Sequence, residues 1–550
     1  MKPAEADRGR AGVQERSVHP RSPWSPLRVP TFRKLLIADV LSDIGTFMQS
    51  VGAAWLMVSF GAGPAYIALT QTASSLPFFI LALPAGSIGD IVDRRKLILV
   101  TEAWMVSVAT LIAVLTIAGW MTPWLLLALT FAISAGDALE LPSWRALLPE
   151  LVPRSDLAAA SALNGIEFNL ARAVGPALAG ALIAAAGVGT AFVVNALSFV
   201  GVIWVVARWK RPPQDHPAPR ESLAGATVAA VRYVRHSAGI RALVIRAGIV
   251  MLFASAILAL LPTVAQRAGN NSLAYGFLLG CFGTGGIAGA LLMPRVRARW
   301  SIDAVVSMAI AILGVTVAFT GMARALSVLG VLMLLSGAAW ITFISLFSAL
   351  AQSMAPDWVR ARVAAIFVLS FQGGIAAGSA LWGLLGERAG VQAALVAAGV
   401  GCVVTAAFSV PWRLPTAPAD VSPWNHWRMP AVVRDLGVTL EDGPVLVTVE
   451  YFVEAHHANT FVQVMHEYEH VRRRDGASRW GLYHDTEVPD RYVETFLVGS
   501  WAEHLRQHAR LTQADRKLEE RVYSLVRGQP RVQHLIDARR AVEAHARLRD

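Results

Sequence analysis

The sequence predicts an all-α multi-pass membrane protein with a small α+β domain at its C-terminal end. Three observations carry this: a composition poor in charge, twelve apolar segments of membrane-spanning length, and an abrupt change of composition near residue 413. Of 550 residues, 55% are hydrophobic and 16% charged, with a mean hydropathy of +0.49. Soluble domains carry about 25% charged residues, so a water-soluble enzyme and a disordered chain both fit poorly. The formal net charge of +11 is explained by basic loops at a bilayer surface rather than by nucleic acid. Cys281 and Cys402 both lie in apolar stretches, so no disulfide framework, metal site or cofactor is read from them.

Each apolar segment approaches the roughly 20 residues needed to cross about 30 Å of hydrocarbon. The first six cover about 35–59, 66–89, 96–119, 122–143, 158–187 and 189–208. The second six cover about 242–266, 273–294, 302–322, 325–352, 361–385 and 391–412. Residues 1–31 are polar and rich in Arg and Pro, and read as a disordered tail without a cleavable signal. The bundles are therefore expected at 32–208 and 241–413, joined by a basic linker at 209–240. That linker contains Pro212, Pro213, Pro217 and Pro219 and an amphipathic stretch at 223–234.

Charge sets the orientation. The even-numbered connections hold seventeen Lys or Arg residues and the odd-numbered ones three, Arg267, Arg324 and Arg388. Both termini and the linker are thus expected in the cytoplasm, with the protein in a bacterial inner membrane and in contact with its lipids.

The halves read as a repeat. GSIGDIVDRR at 86–95 follows the second span, and GALLMPRVR at 289–297 follows the eighth. Gly86 and Gly289 are 203 positions apart, as are Pro153 and Pro356 after spans four and ten. Two loops sharing one offset predict duplicated six-helix bundles, which usually hold substrate between them.

Pro415, Pro418 and Pro423 mark a second linker at 414–429. Beyond it, 430–550 is charged, rich in His and lacks a membrane-length apolar run. Strands are expected at 445–453, 478–485 and 491–498, and helices at 458–473, 501–510 and 513–526. This β-α-β-β-α order suits a ferredoxin-like sandwich, with self-association or regulation as its open roles. HEYEH at 466–470 matches a zinc-protease pattern, but no third ligand follows at a supporting spacing and the helix has its own packing face. These histidines therefore read as solvated, with no metal.

Ionisable groups inside apolar spans are costly and mark functional sites by default. Asp39 and Asp43 lie one helical turn apart in span one; Asp137 lies in span four, and Glu167, Asn169 and Arg172 in span five. Arg172 sits deep in its span, so a carboxylate partner is expected, with Asp39, Asp43 and Asp137 available. A carboxylate that trades Arg172 for a proton would couple transport to proton entry. Glu102 and Glu140 rank lower because they lie towards the cytoplasmic edge. The second half shows almost no buried charge; Gln372, with Gln352, Ser379, Trp340 and Trp382, is its candidate for a substrate cavity. Gly276, Gly280, Gly283, Gly285, Gly286 and Gly289 crowd span eight and read as a close-packing face.

The 86–95 loop resembles the G-x-L-x-D-R-x-G-R-R motif of the major facilitator superfamily, with Ile88, Ile91 and Asp93 as departures. The resemblance implies a cytoplasmic gating role for Gly86, Gly89, Asp90, Arg94 and Arg95. RALLPELVP at 145–153 and NLARAVGPALAG at 169–180 are similar to the enterobactin-exporter-like branch, the transmembrane secretion effectors, over roughly 30–415. Gly175, Pro176 and Gly180 partly match that branch's fifth-helix antiporter motif, with Ala171 and Ala179 in place of glycines.

The resemblance implies a non-enzymatic secondary transporter that exports a siderophore or drug-like small molecule by alternating access. An importer of the same fold, or a membrane-anchored enzyme or sensor acting through 430–550, is the alternative. No phosphate-cradling G-x-x-x-x-G-K-[ST] loop occurs.

Overall fold

The computed structural model of the protein describes residues 22–209, 223–269, 271–408, 420–424, 439–440 and 442–536; the side chains of 83, 86–91, 223, 224 and 226 lie outside the description. Six apolar helices make the first bundle: α1 (Pro30–Ser59), α2 (Pro64–Ile91), α3 (Arg94–Ile117), α4 (Pro123–Leu151), α5 (Leu157–Ala186) and α6 (Val188–Arg208). An amphipathic helix, α7 (Leu223–His236), lies in the linker. The second bundle comprises α8 (Ala238–Gly269), α9 (Ser272–Arg297), α10 (Ile302–Met322), α11 (Leu326–Ser353), α12 (Asp357–Ala389) and α13 (Val391–Ala407). Eleven helices are long and apolar enough to cross a membrane, and α13 is a shorter apolar helix.

Local signals explain the helix starts. Thr122, Asn271 and Ser301 cap α4, α9 and α10 through side-chain oxygens. Asp93, the residue that departs from the loop motif, caps α3 by accepting from the Lys96 amide at 3.0 Å.

The duplication reaches into the packing. In the first bundle α1 packs on α5 and α6, α2 on α4, and α3 on α4 and α6. The second bundle repeats these pairs in order: α8 on α12 and α13, α9 on α11, and α10 on α11 and α13. Gly187 and Gly390, again 203 positions apart, both take left-handed φ (85° and 90°) at the matching α5–α6 and α12–α13 corners. Only a residue without Cβ adopts that conformation freely.

Two helix pairs join the bundles, α2 with α12 and α5 with α9. Small residues set their separation. A Cβ on Gly180 would stand 2.8 Å from the Ser272 carbonyl oxygen and 2.9 Å from Gly276 Cα, and one on Gly283 would meet Ala173 Cα. The other edge of α9 meets α11 through Gly285, Gly286 and Gly289 against Leu334, Ile341 and Ala338. Further contacts between the halves are Thr72 Oγ1 donating to the Ala376 carbonyl (3.0 Å) and the Trp55–Tyr275 ring pair (6.3 Å). The contacts at Gly180, Thr72 and Trp55 lie in the half of the bundle nearer the α1–α2 and α5–α6 turns. Towards the other end a crevice of about 600 Å³ opens between α2, α8 and α12, lined by Leu76, Phe79, Val244, Ile366 and Ser370 among others. Large apolar side chains such as Val100, Leu197, Leu291 and Phe319 stay exposed along the helices, an arrangement suited to hydrocarbon rather than water.

The C-terminal unit is a four-stranded antiparallel sheet of β1 (Val445–Phe452), β2 (Ser478–His484), β3 (Arg491–Val498) and β4 (Arg531–Ile536) in the order β2-β3-β1-β4. Helices α14 (Ala458–Asp475), α15 (Trp501–Arg510) and α16 (Gln513–Tyr523) accompany it. Val445, Val447, Val449 and Tyr451 form its core with Phe461, Met465 and Tyr468 of α14. Two corrections concern this unit: β4 was not anticipated, and the last helix stops at Tyr523 rather than 526. The 531–536 run carries polar Gln533 and His534 amid its apolar residues, which hides an edge strand.

This unit docks on α7 and on the start of α12. Arg232 donates to Glu503 (2.7 Å), Arg510 lies 4.5 Å over the Trp358 ring, and Tyr233 meets Trp358 edge to face. A third correction is that residues 22–31 are ordered rather than part of a disordered tail. Ser25–Arg28 forms a 3₁₀ turn, and Ser25 donates to Asp156 at 3.0 Å. Leu27 and Val29 pack beside Phe32, Val152 and Leu163. The polar composition of the preceding residues obscured that short apolar anchor.

Gly180→Leu is expected to destabilise the protein by about 1–3 kcal/mol, because its new atoms meet backbone that cannot move aside. A lowered midpoint of thermal unfolding in detergent, with a weaker effect for Gly165→Leu in open space, checks this.

Candidate functional site: a carboxylate network in the first bundle

Four helices of the first bundle bring six acidic side chains together. Asp39 and Asp43 come from α1, Glu102 from α3, Asp137 and Glu140 from α4, and Glu167 from α5. Glu102, Glu140 and Glu167 are only 3%, 6% and 5% exposed; Asp39, Asp43 and Asp137 are half-buried. Asp43 neighbours Glu167, Glu102 neighbours Glu140, and Asp39 neighbours Trp144. Thr101 Oγ1 lies 2.6 Å from Glu140 Oε2. Glu102 Oε2 and Glu167 Oε1 are buried without a hydrogen-bond partner. Neighbouring buried carboxyls resist ionising together, because each charge raises the cost of the next.

Arg172 is the cation of this site, and Asp43, one of its three expected carboxylate partners, is the charge that acts on it, without a direct ion pair. Among the described residues no carboxylate lies within salt-bridge distance of it; its guanidinium rests 4.9 Å over the Phe168 ring, with Asp43 as its electrostatic partner. Phe168 is in turn held by Phe47 at 5.7 Å. Glu102 and Glu140, ranked low from sequence, belong to the network. The available signal was their recurrence with Thr101 and Trp144 on the facing sides of α3 and α4.

Asn169 is not part of it, since its side chain donates to Gly165 on its own helix (2.7 Å). Gln372, half-buried on α12, makes no hydrogen bond among the described residues. Trp382 donates to the Leu252 carbonyl (2.7 Å) and Trp340 packs on Phe282, so both serve packing.

The second half does hold a buried charge, contrary to expectation. Arg246, 1% exposed, donates to Asp303 and Ser307, each at 2.8 Å. Arg246 stands 203 positions after Asp43, so the duplicated site carries the opposite charge.

The gating-loop residues divide. The side chains of Gly86, Gly89 and Asp90 lie outside the described residues. Arg94 donates to Glu150 (2.7 Å) and to the Ala146 carbonyl (3.3 Å), tying the α2–α3 turn to the end of α4. Arg95 donates to the Val206 carbonyl at 3.1 Å, capping α6 where helix dipoles favour a cation. Gly180 and Pro176 of the fifth-helix motif face α9, whereas Gly175 meets Phe47 and Ile44 on α1.

Histidines of the C-terminal unit form a separate cluster. His504 and His508 approach Nε2 to Nε2 at 3.2 Å, and the His534 ring lies 4.7 Å from His504. Burial, then the neighbouring histidines, pushes His504 down to about 3; burial, then Arg472, pushes His508 to about 4.

Two six-helix bundles joined by small-residue contacts, with buried carboxylates in one, define a multi-pass membrane protein of a transporter fold. Solved structures with this fold include the nucleoside transporter NupG (TM-score 0.58, 13% identity, 70% of this chain and 99% of that one) and a bacterial homologue of the iron transporter ferroportin (TM-score 0.53, 17% identity, 70% and 98%). The chain belongs to the transmembrane secretion effector family, whose profile matches residues 21–542 and so runs through the C-terminal unit as well.

Similar proteins include the staphyloferrin A transporter of Staphylococcus aureus, 22% identical over 47% of this chain and 66% of the relative. The enterobactin exporter EntS of Escherichia coli is 23% identical over 68% and 90%, and the multidrug efflux pump Tap of Mycolicibacterium fortuitum 24% over 66% and 91%. The first four relatives are matched over 39–66% of their own length.

The histidine cluster predicts a pH dependence. Its folded-state values lie below the ordinary 6.5, so protons bind the unfolded unit better. The cluster's contribution is complete above about pH 6.5 and is lost as pH falls towards about 4. Hydrogen exchange in β1 and β4, corrected for intrinsic rates, is expected to report easier opening at about pH 5 than at about pH 7.5, and less of that difference in His504→Phe.

Proposed function

We propose that the protein is a proton-coupled secondary transporter that exports a siderophore or drug-like small molecule by alternating access. One observation carries this reading: six buried or half-buried acidic side chains gather on the apolar helices α1, α3, α4 and α5, with Arg172 as the cation beside Asp43. Such groups cost about 3 kcal/mol each to bury unless they are paired, protonated or wetted.

A proton reaching Asp43 or Glu167 loosens the hold on Arg172 and favours one arrangement of the halves; its departure on the other side favours the return. The small-residue contacts along α2–α12 and α5–α9 let the bundles rock without interlocked side chains. The printed names of the enterobactin exporter and the multidrug efflux pump support export and this substrate class.

The same reading places twelve spans in a bacterial inner membrane, with α13 as the twelfth. Its 17 residues reach about 26 Å at 1.5 Å per residue. Both termini and the linker face the cytoplasm, because the basic connections gather there. The described conformation is then closed towards the outside and parted towards the cytoplasm. Arg94 and Arg95, with Gly86, Gly89 and Asp90, form the cytoplasmic gate, and Gly175, Pro176 and Gly180 belong to the sliding surface. The sheet order of the C-terminal unit suits a ferredoxin-like domain that self-associates in the cytoplasm.

Ethidium flux in vesicles under an imposed pH gradient tests the coupling. Asp43→Asn and Arg172→Ala are expected to lower gradient-driven flux at least about tenfold with the protein still in the membrane. Undiminished flux in both contradicts the coupling, and the direction of flux separates exporter from importer.

A further inference from the structure

The carboxylate site leaves the crevice between α2, α8 and α12 unused. Its walls come from both halves: Leu76 and Phe79 of α2 face Val244 of α8 and Ile366, Leu369 and Ala377 of α12. It starts where Thr72 donates to the Ala376 carbonyl (3.0 Å) and runs towards the end of α2 and the beginning of α12. Its volume of about 600 Å³ falls within the roughly 300–1,000 Å³ of pockets that hold drug-sized ligands.

The chemistry of this space is one-sided. Among the described residues that line it, none is charged, and only Thr72 and Ser370 carry a polar side chain. Both hydroxyl hydrogens are spent, that of Thr72 on Ala376 and that of Ser370 on the Val244 carbonyl at 2.8 Å. The two oxygens still accept hydrogen bonds, but the lining side chains have no hydrogen left to donate. The six acidic side chains and Arg172 stand on α1, α3, α4 and α5, none of which lines the crevice.

This lining sorts ligands. Catecholates, hydroxamates and carboxylates, the oxygen groups with which a siderophore grips iron, need donors or cations in exchange for the water they leave. Here they would find neither. Apolar surface gains by leaving water at the same place. Phe79 adds an aromatic wall: it is 40% exposed, and a Cβ on Gly373 would stand 2.6 Å from its Cδ2. The missing side chain at Gly373 lets the ring cross from α2 to α12.

We infer that this crevice is the subsite for the uncharged, apolar part of the exported molecule, and that it selects a drug-like substrate against an oxygen-rich siderophore. The inference rests on the export reading above and narrows its substrate class. An occupant touches α2 of one half and α8 and α12 of the other, on the side that the same reading opens to the cytoplasm, so it loads there.

Binding of Nile red, an uncharged flat dye, to the full chain in lipid nanodiscs tests it, with the signal of empty nanodiscs subtracted. Ala377 is an exposed lining residue, so Ala377→Phe has room to fill the crevice; Phe79→Asn puts an amide on the opposite wall. Each is expected to weaken Nile red binding at least about tenfold. An excess of a tris-catecholate chelator is expected to leave the dye bound. In vesicles both variants are expected to lower ethidium flux by a similar factor.

Nile red binding that is unchanged in both variants overturns the inference and leaves the crevice to bilayer lipid. So does displacement of the dye by the tris-catecholate at a comparable concentration. Weakened binding with undiminished ethidium flux also overturns it, because the crevice would then lie off the transport path. Failure of the coupling reading is distinguishable: it appears as undiminished gradient-driven flux in Asp43→Asn and Arg172→Ala, whereas Nile red binding is measured without a gradient.

Discussion

Hydrocarbon cannot solvate an ionised carboxylate, and the first bundle places six acidic groups within it. The rest of the architecture follows from how that cost is met. Helices α1, α3, α4 and α5 turn their acidic faces towards one another; Thr101 donates to Glu140, while Glu102 and Glu167 each keep a buried oxygen without a hydrogen-bond partner. One arginine is too little positive charge for six carboxylates, and in the proposed cycle protons supply the remainder. A site that needs protons to exist in lipid is a natural device for drawing work from a proton gradient.

The second constraint is geometric. Two bundles that shift against each other need a surface without deep side-chain interlocking, and glycine and alanine provide it along α5 and α9. The duplication explains why such contacts occur in pairs: α2 meets α12 as α9 meets α5. The halves have diverged in charge while keeping their packing. Where the first carries Asp43, the second carries Arg246, which donates to Asp303 and Ser307 through its two terminal nitrogens. In the proposed cycle the coupling chemistry sits on one side of the interface, opposite an arginine paired with Asp303.

Much of the frame was legible in the residues themselves. Apolar length and loop charge located the helices, and the offset of 203 anticipated the repeated packing and the paired Gly187 and Gly390 corners. Asp39, Asp43, Asp137, Glu167 and Arg172 announced themselves as charges in apolar surroundings. What escaped depends on three-dimensional register. Glu102 and Glu140 lie near span ends, and only the packing of α3 on α4 shows that they meet. Asn169 satisfies its own helix, a local bond that composition does not reveal. Arg172 was assigned an ion pair because an arginine in a span needs compensation, yet an aromatic face supplies part of it. Strand β4 and the turn at Ser25–Arg28 were hidden by polar neighbours, and both are short edge elements whose order comes from tertiary contact.

The C-terminal unit adds a fixed attachment to this frame. Its Glu503 and Arg510 engage α7 and the first turn of α12, so it rides with the linker and the second half. The central claim is that the two halves trade one closed end for the other as protons load. Spin labels at Arg154→Cys with Arg299→Cys, and at Thr190→Cys with Arg324→Cys, placed in a chain whose Cys281 and Cys402 are replaced by Ser, measure both ends. Between about pH 8 and about pH 5 the account predicts opposite changes, one distance shortening as the other lengthens. Distance distributions that stay fixed at both ends across that range would contradict it.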